Sequence, residues 1–125
     1  MRRLPFMALA ASALLASAMP AAAHTKLVSA TPAANATVAR PTQIVLTFSE
    51  TLVGALSGIE VTMTAMPGMA NHPRMLIRGF TTSVAGKTLT AKLPRPLPAG
   101  TYELKWHVVS GDQHRMENTY TFTVR

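Results

Sequence analysis

Apolar residues recur at every second position over most of the chain. In the segment 43–49 (QIVLTFS) the apolar phase is Ile44, Leu46 and Phe48. The same period of two appears in 59–64 (IEVTMT), 87–93 (KTLTAKL), 101–109 (TYELKWHVV) and 119–124 (TYTFTV). This alternation is typical of strands with one buried face, and no segment shows a competing helical period. The pattern therefore predicts an all-β protein, with Phe48 and Trp106 in its core.

Proline, glycine and polar residues separate these strands. The segment 93–100 (LPRPLPAG) is a proline-rich connection, and 110–118 (SGDQHRMEN) is predicted to be a long hairpin loop. Six or seven short strands with frequent turns favour an antiparallel two-sheet sandwich or a Greek-key barrel, of the immunoglobulin-like or cupredoxin-like kind. His107 is out of phase with Trp106 and is expected to point away from the core.

The first 23 residues have the order of a secretory signal peptide. Two arginines are followed by the apolar run FMALAASALLASAM and then by Pro20 and three alanines. The run is too short to cross a membrane, and no second apolar run follows it. We therefore expect a cleaved leader at 1–23 and a single periplasmic domain at 24–125 that is not a membrane protein. His24 would be its first residue.

Composition excludes several kinds of function. The chain has no cysteine, so disulfides and thiolate metal sites are not available in an oxidising compartment. Ten of its twelve Lys and Arg residues follow residue 23, but they form no run and few aromatic residues lie among them. A nucleic-acid surface would need both features, so we expect no nucleic-acid binding.

Methionine is concentrated in the stretch 63–75 (MTAMPGMANHPRM). Two prolines and a glycine make a helical stripe there improbable on physical grounds. Thioether sulfur is a soft, uncharged donor that prefers Cu(I), and an imidazole can join it. The candidate ligands are Met63, Met66, Met69, His72 and Met75. The alternative is that methionines fill gaps in the core. Met63 suits either role, since it is in phase with Ile59 and Val61.

A second candidate group consists of His24, Asp112 and His114. A histidine at a free amino terminus chelates through its α-amine and its ring Nδ1, and a second imidazole adds a third nitrogen, a set that Cu(II) prefers. Asp112 can add an oxygen, and in an extended loop it lies on the same side as His114. The alternative is that these loop residues are merely solvent-exposed. If His24 is the new amino terminus, cleavage of the leader creates the ligand.

No arrangement for acid–base or nucleophilic catalysis is recognisable. Asp112 and Glu50 do not form a convincing carboxylate pair, and no Ser-His-Asp order or phosphate-binding glycine loop occurs. We therefore expect a copper-binding protein that is not an enzyme. Two alternatives stay open: a copper-dependent oxidase with a histidine-brace site, and a β-sandwich interaction module that binds no metal.

The residues described so far resemble the CopC/PcoC family of periplasmic copper-resistance proteins over nearly the whole chain after residue 23. The motifs that carry the resemblance are HTKLVSATPA (24–33), LTFSETL (46–52), VTMTAMPGM (61–69) and WHVVSGDQH (106–114). The resemblance implies a seven-stranded Greek-key β-barrel. It also implies a Cu(II) site at His24, Asp112 and His114, and a separate Cu(I) site in the methionine stretch.

The same resemblance suggests further roles. Glu50 matches a carboxylate near the Cu(II) site, outside the ligand set. By analogy with the family, copper would pass to an inner-membrane protein of the CopD type or to a periplasmic copper oxidase. The chain departs from the family pattern at His107, where arginine is common, at Arg115, where proline is common, and in the segment ANHPRM (70–75).

Overall fold

The computed structural model describes residues 24–69 and 71–125, and the expected leader at 1–23 lies outside them. Its strands are β1 Leu27–Thr31, β2 Thr37–Val38, β3 Gln43–Phe48, β4 Gly58–Ala65, β5 Met75–Leu76, β6 Thr81–Ala85, β7 Thr88–Lys92, β8 Gly100–Val109 and β9 Arg115–Val124. One short 3₁₀ helix, Gly54–Leu56, precedes β4. Within the described ranges there is no helix long and apolar enough to cross a membrane.

The strands form two sheets. One sheet has the order β1-β3-β7-β6, and the other has the order β2-β9-β8-β4-β5. The short β2 pairs with β9 in parallel, and the other pairs are antiparallel. The all-β, two-sheet sandwich is thereby confirmed. The two strands beyond the expected seven are the two-residue elements β2 and β5.

Alternating apolar residues from both sheets meet in one core. Ile44, Leu46 and Phe48 of β3 are almost completely buried. The rings of Phe48 and Trp106 meet edge to face, with centroids 5.0 Å apart. Burying one side chain of this size contributes roughly 1.5–3 kcal/mol, so the strand alternation accounts for much of the stability of a chain without disulfides. The inward positions of Phe48 and Trp106 are confirmed.

The hydroxyl of Tyr102 shows how the proline-rich connection is attached to this core. The Tyr102 ring is fully buried, and its hydroxyl donates a hydrogen bond to the carbonyl oxygen of Pro98 at 2.6 Å. Burial raises the pKa of Tyr102 to about 12, so the hydroxyl remains a donor at any physiological pH. The 93–98 segment is thus held against the start of β8.

The long strand β8 fixes the distance between the two ends of the sandwich. It runs ten residues, from Gly100 to Val109, which corresponds to about 30 Å at the usual rise per residue. Thr101, near its start, pairs with Ala65, where the methionine stretch leaves β4. After its last residue the chain enters the loop that carries Asp112 and His114. The two candidate ligand groups therefore lie at opposite ends of the molecule.

The prediction of a long loop over 110–118 is wrong in its second half. Strand β9 already begins at Arg115, which pairs with Val109, and Met116 pairs with Val108. Arg115, Glu117 and their neighbours are polar because this half of β9 faces solvent. A strand without a buried face lacks the apolar alternation from which it would be recognised. The connection between β8 and β9 is consequently the short segment 110–114.

Candidate metal sites

The short loop between β8 and β9 has a defined turn geometry. The amide of Gln113 donates to the carbonyl oxygen of Ser110 at 2.9 Å, and Gln113 has a positive φ of 68°. Ser110 is itself buried and bridges to Leu52, so the loop is tied to the connection between β3 and β4. The loop therefore holds Asp112 and His114 in fixed positions at this end of the sandwich.

Hydrogen bonds around Asp112 position both its carboxylate and His114. Its Oδ1 accepts from the hydroxyl of Ser110 and from the backbone amide of His114, the latter at 3.1 Å. Its Oδ2 lies 3.2 Å from Nδ1 of the His114 ring. Because the carboxylate occupies Nδ1, the ring nitrogen left for another partner is Nε2. Carboxylates commonly orient metal-binding histidines in this manner.

The same contacts affect the protonation of Asp112. The hydrogen bond from the Ser110 hydroxyl, followed by the one from the His114 amide, holds the pKa of Asp112 below its usual value of 3.8. The side chain is therefore a carboxylate in neutral and mildly acidic solution. A fixed negative charge thus lies beside an exposed imidazole, which favours binding of a cation.

The chain before β1 brings His24 to this loop. The amide of Lys26 donates to the Ser49 hydroxyl at 2.9 Å, and the amide of Ser49 donates to the Lys26 carbonyl at 2.9 Å. His24 is exposed, and its ring centroid lies 6.0 Å from that of His114. With a metal–nitrogen bond of ~2.0 Å, two imidazoles on one ion have centroids up to about 6.3 Å apart. The observed spacing therefore fits two imidazoles on one ion.

Glu50 lies at the same end as these residues. It follows Ser49, which is bonded to Lys26, and precedes Leu52, which bridges to Ser110. Within residues 24–69 and 71–125, however, no three His, Cys, Asp or Glu side chains converge closely enough to hold an ion. Asp112 contacts His114, the His24 ring lies beside the His114 ring, and Glu50 is at the same end, but these side chains do not converge on one point. Side chains alone leave a site here short of donors, which an α-amine on His24 would supply.

The methionine stretch forms the connection between β4 and β5. At its tip the amide of Met69 donates to the carbonyl of Met66 at 3.2 Å, and Gly68 has a φ of 77°. Proline followed by a residue with positive φ is the usual centre of a type II turn, which explains Pro67-Gly68. Met66 and Met69 form an antiparallel bridge across this turn. Residues so opposed present their side chains to the same side, so their two sulfurs can reach one ion.

The methionines differ sharply in exposure. Met63 is 4% exposed and belongs to the core cluster, whereas Met66, Met69 and Met75 are 37%, 50% and 51% exposed. Apolar side chains that only filled gaps would be buried, as Met63 is. Of the two roles open to Met63, its burial supports packing. Exposure of the other three leaves their sulfurs free to bind an ion.

The His72 ring has an unsatisfied nitrogen atom. Its Nδ1 is buried and, within the described residues, has no hydrogen-bond partner. A buried polar atom without a partner costs roughly 1–3 kcal/mol, so such atoms call for an explanation. A bound metal ion is one kind of partner that would satisfy this nitrogen. His72 is thus a candidate nitrogen donor in the methionine loop.

His107 lies on the outer face of the five-stranded sheet, as expected. It is half-buried and is paired with Gly58, where a Cβ would come within 2.8 Å of the ring Cε1. Burial, and after it the positive charge of Arg115, lowers the pKa of His107 below its usual 6.5. The ring belongs to neither candidate ligand group.

Ser110 was not recognised in the sequence as part of a candidate site. A serine in a polar loop carries no pattern that would distinguish it. The only available signal was its spacing from Asp112, since serine and aspartate two residues apart in a turn often hydrogen-bond to each other. In the structure Ser110 is the residue that fixes the carboxylate.

Comparison with known proteins places this chain in a family. The model of the CopC domain matches residues 27–125. The chain is 46% identical to copper resistance protein C of Xanthomonas campestris pv. juglandis over 91% of this chain and 89% of that protein. It is 42% identical to copper resistance protein C of Pseudomonas syringae pv. tomato over 100% of this chain and 98% of that protein.

A solved structure agrees with the sequence matches. The crystal structure of PcoC, a methionine-rich copper resistance protein from Escherichia coli, superposes with a TM-score of 0.72 at 39% identity, covering 82% of this chain and 100% of PcoC. The family model, the sequence relatives and the solved structure all indicate the same family. This chain belongs to the CopC family of copper-resistance proteins.

Proposed function

We propose that this protein is a periplasmic copper carrier that binds Cu(II) at His24 and the 110–114 loop, and Cu(I) at the methionine loop. Copper is its cargo, and the protein performs no chemical conversion of a substrate. The family relatives are named as copper resistance proteins, which agrees with a carrier. The observation that carries the proposal is the segregation of nitrogen and oxygen donors at one end of β8 from sulfur donors at the other.

The Cu(II) site rests on the proximity of His24 and His114. Their ring spacing of 6.0 Å suits coordination of one ion, and Asp112 leaves Nε2 of His114 free. Cleavage before His24 would add the α-amine, giving three nitrogens, a set that suits Cu(II). Asp112 supplies negative charge. It becomes an oxygen ligand if Oδ2 exchanges its contact with His114 for the ion.

The Cu(I) site rests on exposed thioethers and an unpartnered imidazole nitrogen in the same loop. Met66 and Met69 face each other across a tight turn, and Met75 is half exposed. Nδ1 of His72 needs a partner in the same loop. Neutral sulfur and nitrogen donors suit a soft monovalent ion, and they do not carry the charge that would favour Ca²⁺ or Mg²⁺. Met63 supports this loop from the core.

Two sites with different preferences suit delivery. Copper in either oxidation state can be bound, and each end of the sandwich can contact a partner while the other end keeps its copper ion. The receiving partner would be an inner-membrane protein of the CopD type or a periplasmic copper oxidase. That assignment follows from the family relationship, since a fold alone does not define a partner.

A metal titration of the processed protein tests the proposal. The chain starting at His24, verified by intact mass, is titrated with Cu(II) in air and with Cu(I) under reducing, anaerobic conditions, using competing chelators. We expect one equivalent of each ion and additive loading when both are present. Competition between the two ions for one equivalent would contradict two separate sites. Absence of copper binding would leave a metal-free interaction module.

A further inference from the structure

Arginine is concentrated at the methionine-loop end of the sandwich. Five of the ten basic residues after residue 23 lie there: Arg40, Arg74, Lys92, Arg95 and Arg125. Four of these are arginines, and Arg78 follows farther along the molecule, because the amide of Ile77 before it already donates to the carbonyl of Val61. Of the five acidic residues, all of which the structure describes, Glu103 alone lies at this end. The charge is therefore distributed unevenly along the axis of β8.

A groove of about 420 Å³ opens in this basic region. One wall is the 77–79 turn, which directly follows β5 and hence the methionine loop, and the other is the 93–98 segment. The floor is apolar, since Leu93 and Leu97 are 9% and 3% exposed. The 93–98 wall is rigid, because it contains three prolines and is tied down by the hydrogen bond from Tyr102. The 93–98 side of the groove is therefore preformed before any partner binds.

Arg78 and Arg95 stand at the groove, one on each wall, and both are exposed. Within the part of the chain that the structure describes, neither guanidinium lies within 4.0 Å of a carboxylate. Arg74, by contrast, is engaged with Glu103 at 2.8 Å. Two free guanidinium groups flanking an apolar groove are suited to carboxylates carried on either side of an apolar residue.

We propose that this groove, bounded by residues 77–79 and 93–98, docks an acidic peptide segment of the protein that exchanges copper with the methionine loop. The segment carries two or more Asp or Glu residues around an apolar side chain. The carboxylates pair with Arg78 and Arg95, and the apolar side chain enters the groove. The docking itself stands on the groove and its charges. The identity of the partner as a copper acceptor rests on the proposed function.

Charge and shape favour a peptide over a membrane surface as the occupant. The groove is concave, and its apolar residues form the floor, whereas binding to a lipid surface uses apolar side chains that protrude beyond a basic face. Guanidinium groups bind carboxylates in a bidentate, directional manner, which gives the site geometric selectivity. Acidic side chains on the partner would also steer its approach to the methionine loop, at a rate that falls as salt increases.

The test uses metal-free processed protein and a phage-displayed library of random dodecapeptides. We expect enrichment of peptides in which at least two acidic residues flank an apolar one. The strongest peptide is then synthesised and titrated into ¹⁵N-labelled protein. Shifts should concentrate at the amides of Ile77, Arg78, Gly79, Leu93, Arg95 and Leu97. No enrichment, enrichment without regard to acidic residues, or shifts elsewhere would overturn the proposal.

Matched variants distinguish peptide binding at the groove from a nonspecific effect of the protein's net charge. The R78Q/R95Q double variant should weaken the selected peptide by about tenfold or more, the loss expected when charged hydrogen bonds are removed. The control K26Q/K87Q changes the net charge equally at the opposite end of the molecule and should leave affinity nearly unchanged. Equal weakening by both pairs would overturn the groove as the site.

Two further measurements distinguish peptide docking from copper binding and from binding to a membrane surface. Cu(I) affinity is measured for R78Q/R95Q and should equal that of the unmodified protein. If the unmodified protein binds the peptide but no copper, the proposed function fails while the docking site stands. Co-sedimentation with vesicles of phosphatidylglycerol and phosphatidylethanolamine is measured in parallel. Arginine-dependent binding to vesicles with no selected peptide would overturn the peptide assignment.

Discussion

Met63 and Met75 are directly opposed on the antiparallel strands β4 and β5, yet Met63 is 4% exposed and Met75 is 51% exposed. Opposed residues share a face of the sheet, so both side chains are on the inner side. The difference arises because β5 is a two-residue strand at the edge of its sheet, where the opposing layer no longer covers it. One methionine pair therefore contains a core residue and a candidate ligand.

This pairing predicts that the methionines separate into two classes by mutation. Replacing Met66 and Met69 together with leucine keeps apolar volume and should cost less than about 1.5 kcal/mol per site, but it deletes two soft donors. Cu(I) affinity should fall sharply while Cu(II) binding is retained. Cu(I) competition titrations and thermal denaturation of the same samples measure both effects.

Met63→Ala is the matched variant from the core. It should lower the free energy of unfolding by about 2–5 kcal/mol, because it leaves a cavity between the sheets. Met63→Leu, which preserves volume, should keep both stability and Cu(I) affinity. A loss of Cu(I) affinity in Met63→Leu would assign this sulfur to the ion, and unchanged Cu(I) affinity in the double leucine variant would assign those methionines to packing.

Cu(II) affinity should depend on where the chain begins. An additional alanine before His24 moves the α-amine one residue away from the imidazole, so the chelate through amine and Nδ1 is lost. We expect weaker Cu(II) binding in the extended chain and no change for Cu(I). His114→Ala should have the same selectivity. Equal Cu(II) affinities for the two amino termini would remove the amine from the site.

Acid should release Cu(II) before Cu(I). Protons compete with Cu(II) for the α-amine and for the imidazole nitrogens, whereas thioethers do not titrate. The pKa of Asp112 is held below 3.8 by Ser110, so its carboxylate remains charged as Cu(II) is lost. Cu(II) occupancy should be small below about pH 5. Ser110→Ala raises the pKa of Asp112 and should alter only the most acidic limb of the binding curve.

The sequence was sufficient to predict the fold because buried strands alternate visibly. The alternation of apolar and polar residues alone predicts the buried side chains of Phe48, Leu104 and Trp106. The start of β9 could not be predicted in this way, because Arg115 and Glu117 lie in the first half of the strand, which is exposed to solvent. Apolar alternation reveals strands that have a buried face, and it does not reveal strands that are exposed on both faces.

The candidate ligands could be chosen by residue type and spacing, but their environment could not. Burial of Met63 and the unpartnered Nδ1 of His72 depend on how the β4–β5 hairpin packs. The arginines looked scattered in the sequence, because Arg40, Arg78 and Arg95 come from three different connections. Arg78 and Arg95 reach the same groove only when the antiparallel strands fold back on one another.

His107 provides a pH-dependent stability test that is independent of copper. Burial, then the charge of Arg115, lowers its pKa from 6.5 in the folded state. The neutral ring is therefore favoured, so its contribution to stability is complete above pH 6.5 and is lost as pH falls through the lower folded value. The urea midpoint of the metal-free protein should decline over this window, and His107→Gln should remove that part of the decline.

Titration of the ring by NMR separates the contributions to the His107 pKa. Arg115→Gln removes a positive charge and should raise the pKa of His107, whereas Glu117→Gln removes a carboxylate that raises it and should lower it. These opposite shifts follow from the sign of each charge. Shifts of the same sign in both variants would mean that the mutations act through changed burial.

Gly100 controls the entry to the methionine loop. A Cβ at this position would lie 2.6 Å from the carbonyl oxygen of Ala65 and 3.3 Å from Cε of Met63. A backbone oxygen in a strand cannot rotate away, so Gly100→Ala must push β4 and β8 apart at the point where the loop begins. We expect a loss of about 1–3 kcal/mol in the free energy of unfolding, together with weaker Cu(I) binding and unchanged Cu(II) binding.

Gly58→Ala is the matched control for this contact. Its Cβ would lie 2.8 Å from Cε1 of His107, a comparable overlap, but the obstacle is the end of a half-buried side chain that can swing toward solvent. The cost of Gly58→Ala should therefore be smaller than that of Gly100→Ala, and neither copper affinity should change. Because removing the imidazole relieves the overlap, His107→Ala should reduce the cost of Gly58→Ala further in a double-mutant cycle of unfolding free energies. If Gly58→Ala proves the more damaging of the two, the rigidity of the Ala65 carbonyl is not what makes glycine necessary at the start of β8.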